Sequence, residues 1–283
     1  MKNNQIIAVW GNPSSGKTVT SIKMARELAL KKKNVILVFC DTIAPDLMMV
    51  LPDKNTDEKS LGSLLSAPEI TQEKILSKCI TLDKNEYISL LGYSQGENSF
   101  TYAKYAKDRA VDLLILLRHI ADYVVVDCSA FFISDLLSVT AIELADSVIR
   151  LSNCNLKALS YFNSSLPLLA DRRFNTDRHI KVLSKVKADE PSELMAEKYN
   201  GVMYELPYIE EIVEQYLTGR LFGTLESKQS IKYTQTIQQI ITSVLNKNLE
   251  VKQEPKPAKT KKIKEAGASF LDKVLMGMRG GRS

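Results

Sequence analysis

Histidine and tryptophan are scarce here: 283 residues contain two histidines, His119 and His179, and one tryptophan. A histidine-rich metal centre or a His-based nucleophilic triad has almost nothing to draw on. The four cysteines, Cys40, Cys79, Cys128 and Cys154, lie far apart with no CxxC pair, which argues against a zinc ribbon or a dithiol redox motif. They read as small buried apolar side chains. No run approaches the roughly eighteen apolar residues that a membrane-spanning helix needs. The opening Met1-Lys2-Asn3-Asn4 leads straight into a strand-like run without the apolar core of a signal peptide. A cytosolic protein is expected.

What is present suits one sizeable core with appendages: 45% apolar and 25% charged residues. The net charge of +5 is unevenly spread. Residues 251–283 hold nine Lys or Arg against three Asp or Glu, while the remainder holds 29 against 30. The body is close to neutral and the tail is basic. Attraction to a polyanion is expected mainly in the tail.

Strand-like and helix-like segments alternate along the body. Gln5 to Trp10, Asn34 to Cys40 and Tyr123 to Cys128 are continuous apolar runs, as buried parallel strands require. Further strands are predicted at 147–151, 179–186 and 202–206, with two brief ones within 79–92. Helices are predicted over about 17–32, 102–120, 133–144, 156–169, 192–199, 209–217 and 230–249. Pro45, Pro52 and Pro68 break the stretch 44–78 into short pieces. This order implies an α/β fold with a doubly wound, mainly parallel sheet flanked by helices. The expected organisation is a P-loop domain over 1–249, a charged linker over 250–266 and a short amphipathic basic helix over 267–283.

Gly11-Asn12-Pro13-Ser14-Ser15-Gly16-Lys17-Thr18 matches GxxxxGK[ST] at every fixed position, directly after a strand and before a helix. Glycine at both ends lets successive backbone N–H groups turn toward phosphate oxygens, and the helix adds the positive end of its dipole. Lys17 is expected to reach the β- and γ-phosphates of ATP, and the Thr18 hydroxyl to bind Mg²⁺. Asn12, Pro13, Ser14, Ser15, Thr20 and Pro207 join the nucleotide-binding candidates. Asp127 ends an apolar strand and would face the crevice where open α/β sheets bind ligands, able to hold Mg²⁺ through water. Asp41 follows the neighbouring strand. It fits either a group orienting the attacking water or a simple turn or cap aspartate. Asp46, after Pro45, reads as a helix cap.

With these residues placed, the chain resembles the MinD/ParA family of P-loop ATPases over about residues 5–245. The likeness is carried by GNPSSGKT, NVILVFCDT and ADYVVVDCSA followed by ELADSVIRLSN, with HIKVLSKV and VMYELPYIEEI as weaker elements. The resemblance implies ATP-dependent dimerisation across the nucleotide face, slow hydrolysis, and placement of a partner on a membrane, nucleoid or secretion machine. By position it puts Asp41 on the switch aspartate and Asp127 on the second magnesium-associated aspartate. It also implies a base site near Leu206 and Pro207. Two departures stand out. Members carry a second lysine after the first loop glycine, where this chain has Asn12. They carry an adenine-contacting asparagine where this chain has Ser184. The TadZ/CpaE-like pilus-positioning branch, which departs similarly, is an attractive relative.

In the tail, Phe270, Leu271, Val274, Leu275 and Met278 share an arc of ~140° at helical spacing. This segment resembles the membrane-targeting helix that ends MinD, with Lys259, Lys261, Lys262 and Lys264 to attract anionic lipid. Docking on protein and, less favoured, DNA binding are the competing readings. The expected function is an ATP switch that recruits a partner at the inner membrane face, with a non-hydrolysing scaffold or a DNA partition ATPase as alternatives.

Overall fold

The computed structural model describes residues 4–250. Contacts gather the chain up to Asn248 into one unit. The basic linker and the amphipathic tail segment fall outside the described residues.

Eight strands form one sheet: β1 (Gln5–Gly11), β2 (Val35–Phe39), β3 (Ile80–Leu82), β4 (Asn85–Leu91), β5 (Tyr123–Asp127), β6 (Ser147–Ser152), β7 (Ile180–Val186) and β8 (Val202–Pro207). Their spatial order is β3-β4-β2-β5-β1-β6-β7-β8. All neighbours are parallel except β3 and β4. The two residues Asp83 and Lys84 separate that pair, and so short a link can join only antiparallel neighbours.

The helices are α1 (Lys17–Leu30), α2 (Leu47–Val50), α3 (Leu61–Leu65), α4 (Gln72–Lys78), α5 (Lys107–Ile120), α6 (Leu136–Leu144), α7 (Leu156–Ser165), α8 (Ser192–Tyr199), α9 (Glu210–Leu217) and α10 (Ser230–Glu250). Three differ from the sequence expectation. The helix predicted over 102–120 begins only at Lys107, because Tyr102 is drawn away: its hydroxyl donates to Glu97 Oε1 at 2.6 Å. The helix predicted over 133–144 starts at Leu136, since Asp135 caps it by accepting from the N–H groups of Leu137 and Ser138. The helix predicted over 156–169 changes to a tighter 3-10 turn at Leu166, beside Pro167.

Side-chain alternation along β1 divides the core. Ile6, Ala8 and Trp10 pack on one face with residues of α5, α6 and α7. Ile7 and Val9 pack on the other with α1 and α10. Trp10 anchors the first layer, with Phe132 and Phe162 edge-on at centroid distances of 5.1 and 5.5 Å. All four cysteines are buried and unbridged. Burial on both faces leaves the carboxyl ends of the parallel strands as the place where polar loops collect. The phosphate-loop motif sits there, between β1 and α1.

Candidate functional site

The loop's glycines are demanded by its surroundings. A Cβ on Gly11 would stand 2.1 Å from the Leu151 carbonyl oxygen of β6, and Gly16 has φ 82°, the left-handed region. Ser14 shares that conformation, with φ 61°. Between them the buried Ser15 hydroxyl has no hydrogen-bond partner. A buried, unpartnered hydroxyl inside a loop of this shape suits a phosphate oxygen.

Lys17 opens α1, and its ammonium donates to the Asn12 carbonyl at 3.3 Å. Part of its stem meets solvent, yet burial of the head lowers its pKa, opposed by the charges of Asp127, Asp41 and Asp46. Asp127 ends β5 and is buried. Burial pushes its carboxyl up to about 6, while the Thr18 hydroxyl, Lys17 and Ser21 hold it down. Ser21 Oγ donates to Asp127 Oδ1 at 3.4 Å. The structure therefore brings Lys17, Thr18 and Asp127 together. Among the described residues no group of three or more His, Cys, Asp or Glu is arranged to hold a metal. A magnesium ion here would rely on Thr18, Asp127 and the oxygens of its ligand, which suits a cation that keeps few protein ligands.

Asp41 lies beside this group, but its Oδ1 accepts from the backbone N–H groups of Ile43 at 2.7 Å and Ala44 at 3.1 Å. The turn-forming reading describes that oxygen. Asp46 corrects the expectation of a helix cap. It heads α2 without any side-chain cap hydrogen bond. Its carboxyl is instead raised to about 8 by burial and by Asp127 and Asp41, with Lys17 opposing. Sequence reasoning missed this third carboxylate because its neighbours in space are remote in sequence.

The side chain of Asn12 has partners of its own. It is buried and turned toward its own sheet. Nδ2 donates to Asn153 Oδ1 and to the Pro13 carbonyl, both at 2.8 Å, and Oδ1 accepts from Asn153 N–H at 3.1 Å. Asn153 Nδ2 reaches the Ser184 carbonyl at 3.5 Å. The loop is thus clasped to the ends of β6 and β7, and this side chain is not free to face a ligand or a second molecule. Pro13 and Ser14 are exposed on the loop's rim. Thr20 is buried in α1, near Tyr233 of α10. Pro207, at the end of β8, lines a cavity of about 660 Å³ with Val186, Lys187, Glu190 and Tyr208. Ser184 is buried beside Gly16, 3.5 Å from where a Cβ there would stand.

Comparison with known proteins accords with this architecture. A family model described as an AAA domain, AAA_31, matches residues 4–177. No curated protein sequence matches. Among solved structures, the septum site-determining protein MinD complexed with Mg-ADP from Pyrococcus horikoshii OT3 superposes with a TM-score of 0.65 at 18% identity, covering 86% of this chain and 98% of that one. A ParA family ATPase from Chlorobium tepidum TLS gives 0.68 at 15% identity, covering 87% and 99%. A putative plasmid partition protein from Borrelia burgdorferi B31 bound to AMPPNP gives 0.66 at 17% identity, covering 84% and 98%. The fold is that of the MinD/ParA P-loop ATPases.

Proposed function

We propose that this chain, which belongs to the AAA domain family AAA_31, is an Mg-ATP-binding switch of the MinD/ParA kind that slowly hydrolyses ATP. One observation carries the reading. A lysine ammonium with a single neutral acceptor at 3.3 Å sits beside an unpartnered buried hydroxyl and a buried carboxylate, at the head of a helix. Such a place suits an anion with its cation.

Each residue then has a stated task. The loop N–H groups and Lys17 hold the triphosphate, and Thr18 and Asp127 hold magnesium. Magnesium, when bound, supplies neutralisation of charge on the phosphate oxygens. Asp41, through its second oxygen, orients the attacking water, and Pro207 borders the base in the cavity at the carboxyl ends of β7 and β8. The experiment is uptake of labelled ATP at millimolar magnesium by the wild type and by Lys17→Ala. Uptake lost in the variant supports the reading; equal uptake, or none in the wild type, ends it.

A homodimer across the nucleotide face is part of the proposal. Ile43 and Leu156, 71% and 74% exposed, and Phe131 and Ile133 are exposed in the segments that follow β2, β5 and β6, Leu156 as the first residue of α7. Exposed apolar side chains around a polar site suit a surface that is covered in one nucleotide state. We further propose that the tail attaches the dimer to anionic membrane, where it recruits a protein partner. No described helix is long and apolar enough to cross a membrane, so attachment would be peripheral. Liposome sedimentation with ATP and with ADP, before and after deleting residues 266–283, tests this, and nucleotide-independent sedimentation counts against it.

The buried Asn12 clasp favours a second reading, an ATP-dependent scaffold with little turnover, because it brings no positive charge across a dimer. Steady-state hydrolysis equal to that of Lys17→Ala would select it. ATP-dependent, salt-sensitive retention on DNA would instead select a partition role.

A further inference from the structure

Lys185 sits at a break in the β7–β8 ladder. Ser184 pairs with Leu206 and Val186 with Pro207, so Lys185 is left over as a bulge. Its φ of 60° is left-handed, a conformation that costs a lysine energy and gathers at functional sites. Bulges re-aim side chains. This one sends the lysine stem over the phosphate loop. Its Cγ and Cδ lie 3.7 and 3.6 Å from the point where a Cβ on Gly16 would stand. The ammonium donates to the Ser14 carbonyl at 3.3 Å.

The consequence follows from peptide geometry. In a trans peptide the C=O and the next N–H point in opposite directions. A cation holding the Ser14 oxygen outward therefore turns the Ser15 N–H inward. There it donates to the Asn12 carbonyl at 3.2 Å, the same oxygen that receives Lys17 Nζ. An anion entering the loop competes with that carbonyl for the N–H.

We propose that Lys185 is a positioning residue for the phosphate loop, orienting the Ser14–Ser15 peptide and supplying positive charge at the lip where Asn12 supplies none. This rests on the proposed nucleotide binding. The neutral, similarly sized Lys185→Met loses both effects, whereas Lys185→Arg keeps them. The side chain is exposed, so neither change disturbs the core.

The test measures the dissociation constants of Mg-ATP and Mg-ADP for the full chain and both variants, with melting temperatures in the absence of nucleotide. Lys185→Met is expected to weaken both nucleotides about tenfold, the scale of one charged hydrogen bond, with its nucleotide-free melting temperature unchanged. Lys185→Arg is expected to recover binding to within about threefold, well under one such bond. The salt dependence of binding should become shallower in the methionine variant. Wild-type affinity in Lys185→Met overturns the proposal alone. A loss of affinity that tracks a lowered nucleotide-free melting temperature and is not rescued by arginine also overturns it, marking a merely structural strut. A wild type that takes up no nucleotide removes this proposal together with the reading it rests on.

Discussion

Asn12 and Asn153, 141 residues apart, exchange hydrogen bonds: Asn12 Nδ2 donates to Asn153 Oδ1 at 2.8 Å, and Asn153 N–H donates to Asn12 Oδ1 at 3.1 Å. Two amides thus join the phosphate loop to the end of β6. The geometry needs an acceptor and a donor on one short side chain, which asparagine has and lysine lacks. Asn153→Ala is expected to lower stability by about 1–3 kcal/mol, because Asn12 keeps a buried amide with fewer partners. Urea unfolding without nucleotide measures it. Asn12→Lys is expected to show a similar loss and, by freeing a cation at the loop, a several-fold rise in ATP turnover. Unchanged turnover would mean that the missing charge does not limit hydrolysis.

Asp127 predicts a pH dependence of magnesium binding. Its carboxyl, pushed up to about 6 by burial, must be ionised to hold the cation. The apparent affinity for Mg²⁺ in the presence of ATP is expected to fall as pH drops through 6 and to level off above 7. Asp127→Asn should be weaker at every pH and lack that inflection. Magnesium titrations of ATP binding at several pH values decide the point.

Asp46 predicts how the nucleotide-free fold responds to pH. Its carboxyl is raised from 3.8 to about 8, so the folded chain keeps a proton that the unfolded chain releases. That contribution is fully present below about 4 and is lost as pH rises through about 8. Stability is therefore expected to decline across that interval, and comparison with Asp46→Asn separates this group from Asp127 and Lys23. Asp46→Asn, permanently neutral, should flatten the decline. Urea midpoints that change equally in both proteins would sink the assignment.

Lys23 predicts a purely structural effect. Buried in α1, its ammonium donates to Gln215 Oε1 at 2.5 Å and to the carbonyls of Leu221 and Gly223 at 2.6 and 3.1 Å. It ties α1 to α9 and to the segment after it. Lys23→Met fills the space but strands the acceptors, and about 2–4 kcal/mol of stability should be lost. ATP affinity should change far less than in Lys17→Ala. A large loss of affinity with intact stability would contradict this division of labour.

Features written in neighbouring residues were legible without the fold. The continuous buried runs of β1, β2 and β5 and the eight-residue loop motif leading into α1 all depend on short-range geometry. Asp127 was legible as well, because a charge closing an apolar strand is a local signal. The start of α5 was not, since the Tyr102 hydroxyl is taken by nearby Glu97 in the preceding loop, and a helical pattern carries no record of competing partners.

Taken by itself, the sequence determined that this chain makes parallel strands, places a glycine-bounded loop at the end of the first, and carries a lysine and a threonine there. Only the tertiary structure decided what surrounds them. Strand order set β6 beside β1 and β7 beside β6, which turned Asn12 inward to Asn153 and laid Lys185 across Ser14. Burial, not position after a proline, made Asp46 part of the charged group around Lys17. Backbone conformation is chosen among neighbouring residues, whereas hydrogen-bond partners and local dielectric are chosen by segments that meet only when the sheet assembles.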